Sequence, residues 1–162
     1  MNTSTPNNAA ASNALEIHTG SACPGNQYAF NHGGWGYVIT DSSASKQLQC
    51  WGYVGDTTNN QMAVTAAIRA LRILQKREPT EIAVYSSSEY LVKGMNEWLP
   101  GWIDKGWKKI KNKALWLELQ DLSAKHSVSW RHVKGHSGSP LNELADKLAS
   151  RGAGGASGHT HL

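Results

Sequence analysis

Three short stretches decide the fold class: LEIHT at residues 15–19, WGYVIT at 35–40 and LQCWGYV at 48–54. Apolar and polar residues alternate in the first stretch, and Gly33-Gly34 marks a break in the pattern just before the second. All three are rich in the β-branched and aromatic residues that favour strands. Because only short loops separate them, we predict three consecutive strands that form a meander.

Further along the chain, the pattern changes to a helical period. After Asn59-Asn60, apolar residues recur at helical spacing until Pro79 ends the segment; they are Met62, Ala66, Ala67, Ala70, Leu71 and Leu74. EIAVY at 81–85 predicts a fourth strand. A leucine-rich helix near residue 119, a strand at 127–133 and a helix at about 140–150 follow. This order predicts an α/β fold, a mixed sheet with helices on its faces.

Length and composition favour one domain. The 162 residues are 40% hydrophobic, which is enough for a single core, and no apolar run approaches the roughly 20 residues of a membrane span. We expect a tail at 1–14, a domain at 15–151 and a flexible glycine-rich tail at 152–162. Residues 1–14 lack the features of a secretory signal, and two cysteines are too few for a disulfide scaffold, so we expect a cytoplasmic protein with free thiols. A monomer is expected because no heptad pattern is present.

Positive charge is concentrated in one segment. The net charge is only +4, yet KGWKKIKNK at 105–113 holds five lysines and no acidic residue. Four of the seven tryptophans lie in or beside this segment: Trp98, Trp102, Trp107 and Trp116. Basic and flat aromatic side chains together suit contact with a nucleic-acid backbone. A solvated helix whose tryptophans anchor it to the core explains the same pattern, and charge alone leaves both interpretations open.

Six motifs, in order, resemble type 1 ribonuclease H across about residues 15–151. They are LEIHTxxxCPGN from 15, GGWGYVI from 33, TTNNQMxxxAAI from 57, VYSxSEYL from 84, the Trp/Lys segment, and VKGHSGSPLNELADKLA from 133. The resemblance implies a ribonuclease H fold, a five-stranded mixed sheet whose first three strands are antiparallel. It also implies cleavage of the RNA strand of an RNA/DNA hybrid with two magnesium ions.

The family holds these metals with four carboxylates, and this sequence departs from three. The matching positions are, in chain order, Gly20, Ala63, Ser87 and Asp146. Two adjacent dications need a cluster of oxygen ligands, which glycine and alanine cannot supply. Asp146, with Glu143 one helical turn away, is expected to hold one hydrated magnesium weakly at best. The family histidine that assists proton transfer or product release matches His136, which without metals has no reaction to serve.

Positions that contact the hybrid in the family keep suitable side chains. The resemblance assigns its minor groove to Cys23, Asn26, Asn59, Asn60 and Glu89, and a DNA-strand phosphate to Thr58. It assigns the family's basic protrusion, which grips the DNA strand, to Trp98, Trp102, Trp107, Lys105, Lys108 and Lys109. Alternatively, Asn59 caps a helix, Cys23 is a small buried thiol, and Asn142 and Glu143 only begin the last helix.

We therefore predict a domain that binds RNA/DNA hybrids while its cleavage of the RNA strand is lost or severely impaired. Two alternatives stay open. One is an active metal-dependent ribonuclease H with an unconventional metal site. The other is an interaction domain that keeps only the fold.

Overall fold

A six-stranded mixed sheet forms the centre of the protein. The computed structural model describes residues 14–24, 31–41, 43, 45–135 and 139–161. Its strands are β1 Leu15–Ala22, β2 His32–Asp41, β3 Lys46–Gly55, β4 Glu81–Ser86, β5 Ser127–His132 and β6 Gly158–His161. They lie in the order β5-β4-β1-β2-β3-β6. β1, β2 and β3 are antiparallel, as predicted, and β4 and β5 join β1 in parallel.

The helices follow the predicted order. They are α1 Asn59–Ile73, α2 Glu89–Lys93, α3 Leu99–Asp104, α4 Lys113–Ser123 and α5 Pro140–Ala153. A π-helical turn, Gly94–Trp98, joins α2 to α3. The α/β class and the mixed sheet with helices are confirmed. No helix in the described part of the chain is long and apolar enough to cross a membrane.

Helices cover both faces of the sheet, and the alternation of β2 shows how. Trp35, Tyr37 and Ile39 belong to the main apolar cluster, which includes the buried face of α1 and Trp116 of α4. Val38, on the other face, packs with Ala145 and Leu148 of α5 in a second cluster. The period-two alternation of a strand thus supplies two cores at once.

Small residues let α5 approach the sheet very closely. A Cβ atom added at Gly34 would lie 1.9 Å from the carbonyl oxygen of Ala149, and one at Gly36 would lie 2.7 Å from the Ala149 nitrogen. Real Cβ atoms essentially never come this close to other heavy atoms, so only glycine fits these positions without movement of the helix.

Two expectations differ from the structure at the C-terminal end. The sheet has a sixth strand, and the segment expected to be a flexible tail from residue 152 contains the end of α5 and β6. β6 pairs with β3, with Cys50 opposite His159 and Trp51 opposite Gly158. The guanidinium carbon of Arg151 lies 4.8 Å from the centroid of the Trp51 ring. The free edge of β3 and its tryptophan order a segment whose own composition provides no core. Residues 1–13 of the expected N-terminal tail lie outside the described residues.

Candidate nucleic-acid interface

A polar cleft of about 600 Å³ opens beside the ends of β1 and β4. Most of its lining is neutral and polar: it consists of Ser21, Asn59, Asn60, Ser87, Ser88, Glu89, Tyr90, Gly135, Asp146 and Ser150. β1 and β4 are parallel, with Thr19 opposite Ser86, so their ends meet at one edge of the sheet. The fold therefore brings together Asn59, Asn60 and Glu89 with Ser87 and Asp146, although three helices and the loop after β4 carry them.

Gly20 lies on β1 under the backbone of α5. A Cβ atom at this position would lie 2.4 Å from the carbonyl oxygen of Ala145 and 2.6 Å from the backbone nitrogen of Asp146. Both atoms belong to helix backbone, which cannot rotate away as a side chain can. The space that a side chain at residue 20 requires is filled by α5.

Neither residue 63 nor residue 87 carries a carboxylate. Ala63 is 2% exposed and belongs to the main core. Ser87 is half-buried, and its backbone carbonyl accepts a hydrogen bond from Nε2 of His132 at 3.2 Å. The next residue, Ser88, caps α2, since its Oγ accepts from the backbone N–H of Leu91 at 3.1 Å.

Carboxylates are sparse in the cleft. Asp146 and Glu89 line it, whereas Glu143 is exposed on α5 and does not. Across the described ranges, which omit 136–138, no group of three or more His, Cys, Asp or Glu side chains is placed to hold a metal ion. His136 itself lies outside the described residues.

Thr58, Asn59 and Asn60 begin α1. Thr58 is the cap, because its side chain accepts from the backbone N–H of Gln61 at 3.1 Å. The alternative role of Asn59 as the cap is therefore wrong, and both asparagine side chains are exposed. A threonine hydroxyl that accepts one bond keeps its own proton to donate. The start of α1 thus presents three polar side chains next to the positive end of the helix dipole.

Cys23 is held close to this helix start. Its Sγ donates to the backbone carbonyl of Thr57 at 3.4 Å, and the side chain is half-buried. Burial raises the pKa of the Cys23 thiol, so the group stays neutral. Asn26, the neighbouring position that the resemblance assigns to the groove, lies outside the described residues.

The Trp/Lys segment divides its tryptophans between core and surface. Trp116 is 0% exposed and Trp98 is 38% exposed. Trp102 lies between them, with its ring centroid 5.0 Å from that of Trp116 and 5.9 Å from those of Trp98 and Trp107. Trp116 therefore anchors the segment in the core, whereas Trp98 presents part of its ring at the surface.

The lysines of this segment are exposed on a tight turn. Lys105, Lys108 and Lys109 all point away from the core. Trp107 and Lys109 have φ of 63° and 60°, the left-handed region that side chains rarely adopt. A backbone hydrogen bond from Trp107 N–H to Trp102 C=O, at 2.8 Å, closes the turn. The lysines therefore lie on a turn that is attached to the cluster of tryptophan rings through Trp102 and Trp107.

Sequence reasoning missed a second, smaller cleft of about 300 Å³. Its lining comes from the start of α1 and from the residues that precede α4: Thr58, Asn59, Asn60, Lys111 and Asn112. Asn112 has φ of 60° and occupies the position just before α4. An asparagine directly before a helical pattern predicts a cap. The Asn112 side chain makes no capping hydrogen bond, however, so this signal does not indicate the cleft.

Comparisons with known proteins agree with this architecture. The family model for ribonuclease H (RNase H) matches residues 12–154. The ribonuclease H of Cupriavidus necator is 45% identical over 143 residues, which span 85% of this chain and 94% of that protein. LC9-RNase H1, a type 1 RNase H with the type 2 active-site motif, superposes with a TM-score of 0.83 at 32% identity, covering 93% of this chain and 78% of that chain.

A foamy viral protease-reverse transcriptase, solved in complex with an RNA/DNA hybrid, superposes with a TM-score of 0.69 at 22% identity. The match covers 88% of this chain and 20% of that chain, and at this identity it shows the fold alone. The fold and the cleft define an α/β protein of the ribonuclease H-like class. With a family match over most of its length, the chain belongs to the ribonuclease H family.

Proposed function

We propose that this protein binds RNA/DNA hybrids through the polar cleft and the Trp/Lys segment, and that it does not cleave the RNA strand. The observation that supports the absence of cleavage is the close packing of α5 against Gly20. A ligand side chain fits there only if α5 moves away, since its Cβ would lie 2.4 Å from the carbonyl oxygen of Ala145. The position is a packing contact between strand and helix.

The remaining donors do not fit the two magnesium ions that the family uses. Two-metal hydrolysis needs cations about 4 Å apart, held by several shared oxygen ligands. Of the four matching positions, only Asp146 carries a carboxylate. Serine at 87 offers a neutral hydroxyl, and the core residue Ala63 offers no ligand atom. Loss of one electrostatic group from such a site commonly costs about 10²–10³ in rate, so loss of three is expected to abolish turnover.

The binding surface, in contrast, is intact in the described residues. Exposed Asn59 and Asn60 can both donate to and accept from the 2′-hydroxyls and base edges of a minor groove. In the smaller cleft, Thr58 and Lys111 offer a donor and a positive charge to a DNA-strand phosphate. Exposed Trp98 supplies the second backbone contact, together with the exposed Lys105, Lys108 and Lys109 of the same segment.

A ribonuclease H with an unconventional metal site is the second candidate. The name of the Cupriavidus necator relative, 45% identical to this chain, favours it. In that case, Asp146 and Glu89, the carboxylates that line the cleft, would be the ligands to test first.

One labelled RNA/DNA hybrid separates the two candidates. Binding and RNA cleavage are measured with magnesium, with manganese and with EDTA across a salt series, and the Cupriavidus necator enzyme provides the positive control for cleavage. The proposal expects binding that survives EDTA and weakens with salt, and no cut in either metal. Metal-dependent cleavage that Asp146→Asn abolishes would establish the second candidate.

A further inference from the structure

Gln61 connects the two walls of the smaller cleft. It lies in the first turn of α1, and both ends of its amide are occupied. Its Oε1 accepts from the Thr57 hydroxyl at 2.7 Å, and its Nε2 donates to Oδ1 of Asn112 at 3.0 Å. The second bond joins residues 51 positions apart in the chain.

Helix capping does not explain this arrangement. A glutamine three residues after a threonine cap commonly returns its side chain to the backbone N–H of that cap. Thr58 and Gln61 have this spacing, and the Thr58 side chain does accept from the Gln61 backbone. The Gln61 amide, however, bonds to Thr57 and Asn112 instead. One partner, Thr57, is the buried residue just before the cap, and the other, Asn112, lines the opposite wall of the smaller cleft.

On one side, the connection reaches the end of β1. Thr57 is 6% exposed. Its carbonyl accepts from Sγ of Cys23 at 3.4 Å and from Nδ2 of Asn31 at 3.2 Å, and its N–H donates to Oδ1 of Asn31 at 3.0 Å. Thr57 therefore fixes the position of Cys23, one of the predicted groove contacts, relative to α1.

On the other side, the connection reaches the tryptophans. Nδ2 of Asn112 donates to the Tyr90 hydroxyl at 2.9 Å, and Nε1 of Trp116 donates to the same oxygen at 3.1 Å. The Tyr90 ring contacts those of Trp98 and Trp116, with centroids 6.1 Å and 5.2 Å away. A continuous set of hydrogen bonds thus runs from Cys23 to the base of the Trp/Lys segment.

We infer that Gln61 is a positioning residue that sets the spacing between the groove contacts and the Trp/Lys segment. This inference rests on the proposed function. Phosphates along a DNA strand have a fixed spacing. If the two parts of the binding surface already lie at the matching distance, the protein loses less conformational entropy on binding. Gln61 lets Thr58 and Lys111 meet one phosphate while the tryptophans and lysines meet another.

The test replaces Gln61 with methionine, which keeps the length of the side chain and removes both hydrogen bonds. Gln75→Met, at an exposed position beyond the end of α1, is the matched control. Hybrid affinity is measured in EDTA across a salt series, at a temperature where thermal scans show every variant folded. We expect Gln61→Met to bind about tenfold more weakly, and the slope of log K against log salt to fall by about 0.9, the change expected when one phosphate is no longer neutralised. Gln75→Met should bind within about twofold of the parent.

Asn112→Gly removes the same bond from the opposite wall, and glycine suits the φ of 60° at that residue. The double variant should bind no more than about twofold more weakly than the weaker single variant, because both changes break one connection. This variant also carries the test if Gln61→Met does not fold.

A Gln61→Met protein with the affinity and salt slope of the parent would overturn the inference and leave hybrid binding standing. Additive losses in the double variant would also overturn it. A parent protein that does not bind the hybrid would overturn the proposed function, and the role of Gln61 with it.

Discussion

Adding a single methyl group at residue 20 tests whether α5 fills the space that a side chain there would need. In Gly20→Ala, the new Cβ would lie 2.4 Å from the oxygen and 2.5 Å from the carbon of the Ala145 carbonyl. Ordinary van der Waals contact begins near 3.4 Å, so α5 must retreat by about 1 Å. Overpacking of this kind costs about 1–3 kcal/mol. In a domain of this size, that cost corresponds to a fall in Tm of roughly 2–12 °C.

Urea denaturation and thermal scans measure this cost. Gly101→Ala is the matched control: Gly101 lies in α3, and a Cβ there would meet nothing within 4 Å. The control should be neutral, or more stable by up to about 1 kcal/mol from helix propensity. If Gly20→Ala proves as stable as the parent, α5 can accommodate a side chain at residue 20 without cost, and the steric argument against a ligand there is wrong.

The same geometry governs the restoration of activity. Aspartate at 20, glutamate at 63 and aspartate at 87 together recreate the four carboxylates of the family, so magnesium-dependent cleavage is expected to return. The triple variant should also be less stable than the parent by at least the cost of Gly20→Ala. A double variant that keeps Gly20 should not cleave, because the metals then lack the ligand from β1. Cleavage by that double variant would show that residue 20 is dispensable.

The remaining predictions concern individual side chains of the proposed interface and of the core beneath it. Replacing both Lys108 and Lys109 with glutamine should reduce the salt slope of hybrid binding by up to about 0.9 for each phosphate that the side chains no longer neutralise, and an unchanged slope would exclude them from the interface. Trp98→Ala should weaken binding with little change in stability, whereas Trp116→Ala should cost about 3–5 kcal/mol in urea denaturation; the reverse ranking would contradict the assignment of surface and core. Because burial raises the pKa of the Cys23 thiol above its ordinary value of 9.0, its alkylation should be slow at pH 8 and accelerate only at higher pH than for an exposed cysteine. For the same reason, its contribution to stability should be present below pH 9.0 and decline above it, as the thiol of the unfolded chain ionises first.

Much of the sheet could be predicted from the sequence because its signals are local. The alternation in LEIHT and the β-rich composition of EIAVY are properties of five neighbouring residues, and each became a strand where expected. β6 could not be predicted in this way. Four residues of GHTH carry no periodic pattern, and their pairing is decided by the edge of β3, about 110 residues earlier in the chain.

The residues that line the cleft could be predicted from the sequence, but the distances between the elements that carry them could not. Asn59, Asn60, Glu89 and Asp146 do line one cleft. The close approach of Gly20 to α5 joins residues 125 positions apart, and no local signal reports how near two backbones come. The bond between Gln61 and Asn112 depends likewise on a left-handed residue before α4, whose side chain points back across the cleft.

The short strand β6 also bears on the solubility of the protein. Without it, the ten residues of β3 would present a long row of unpaired N–H and C=O groups beside Trp51 and the exposed Tyr53. Such an edge is a template on which another chain can add a strand and begin to aggregate. β6 pairs with residues 48–51 of that edge through a strand of only four residues, whose His159 and Thr160 are exposed and polar. Removal of the last residues of the chain should therefore appear first as self-association in concentrated solution, before any loss of the folded core.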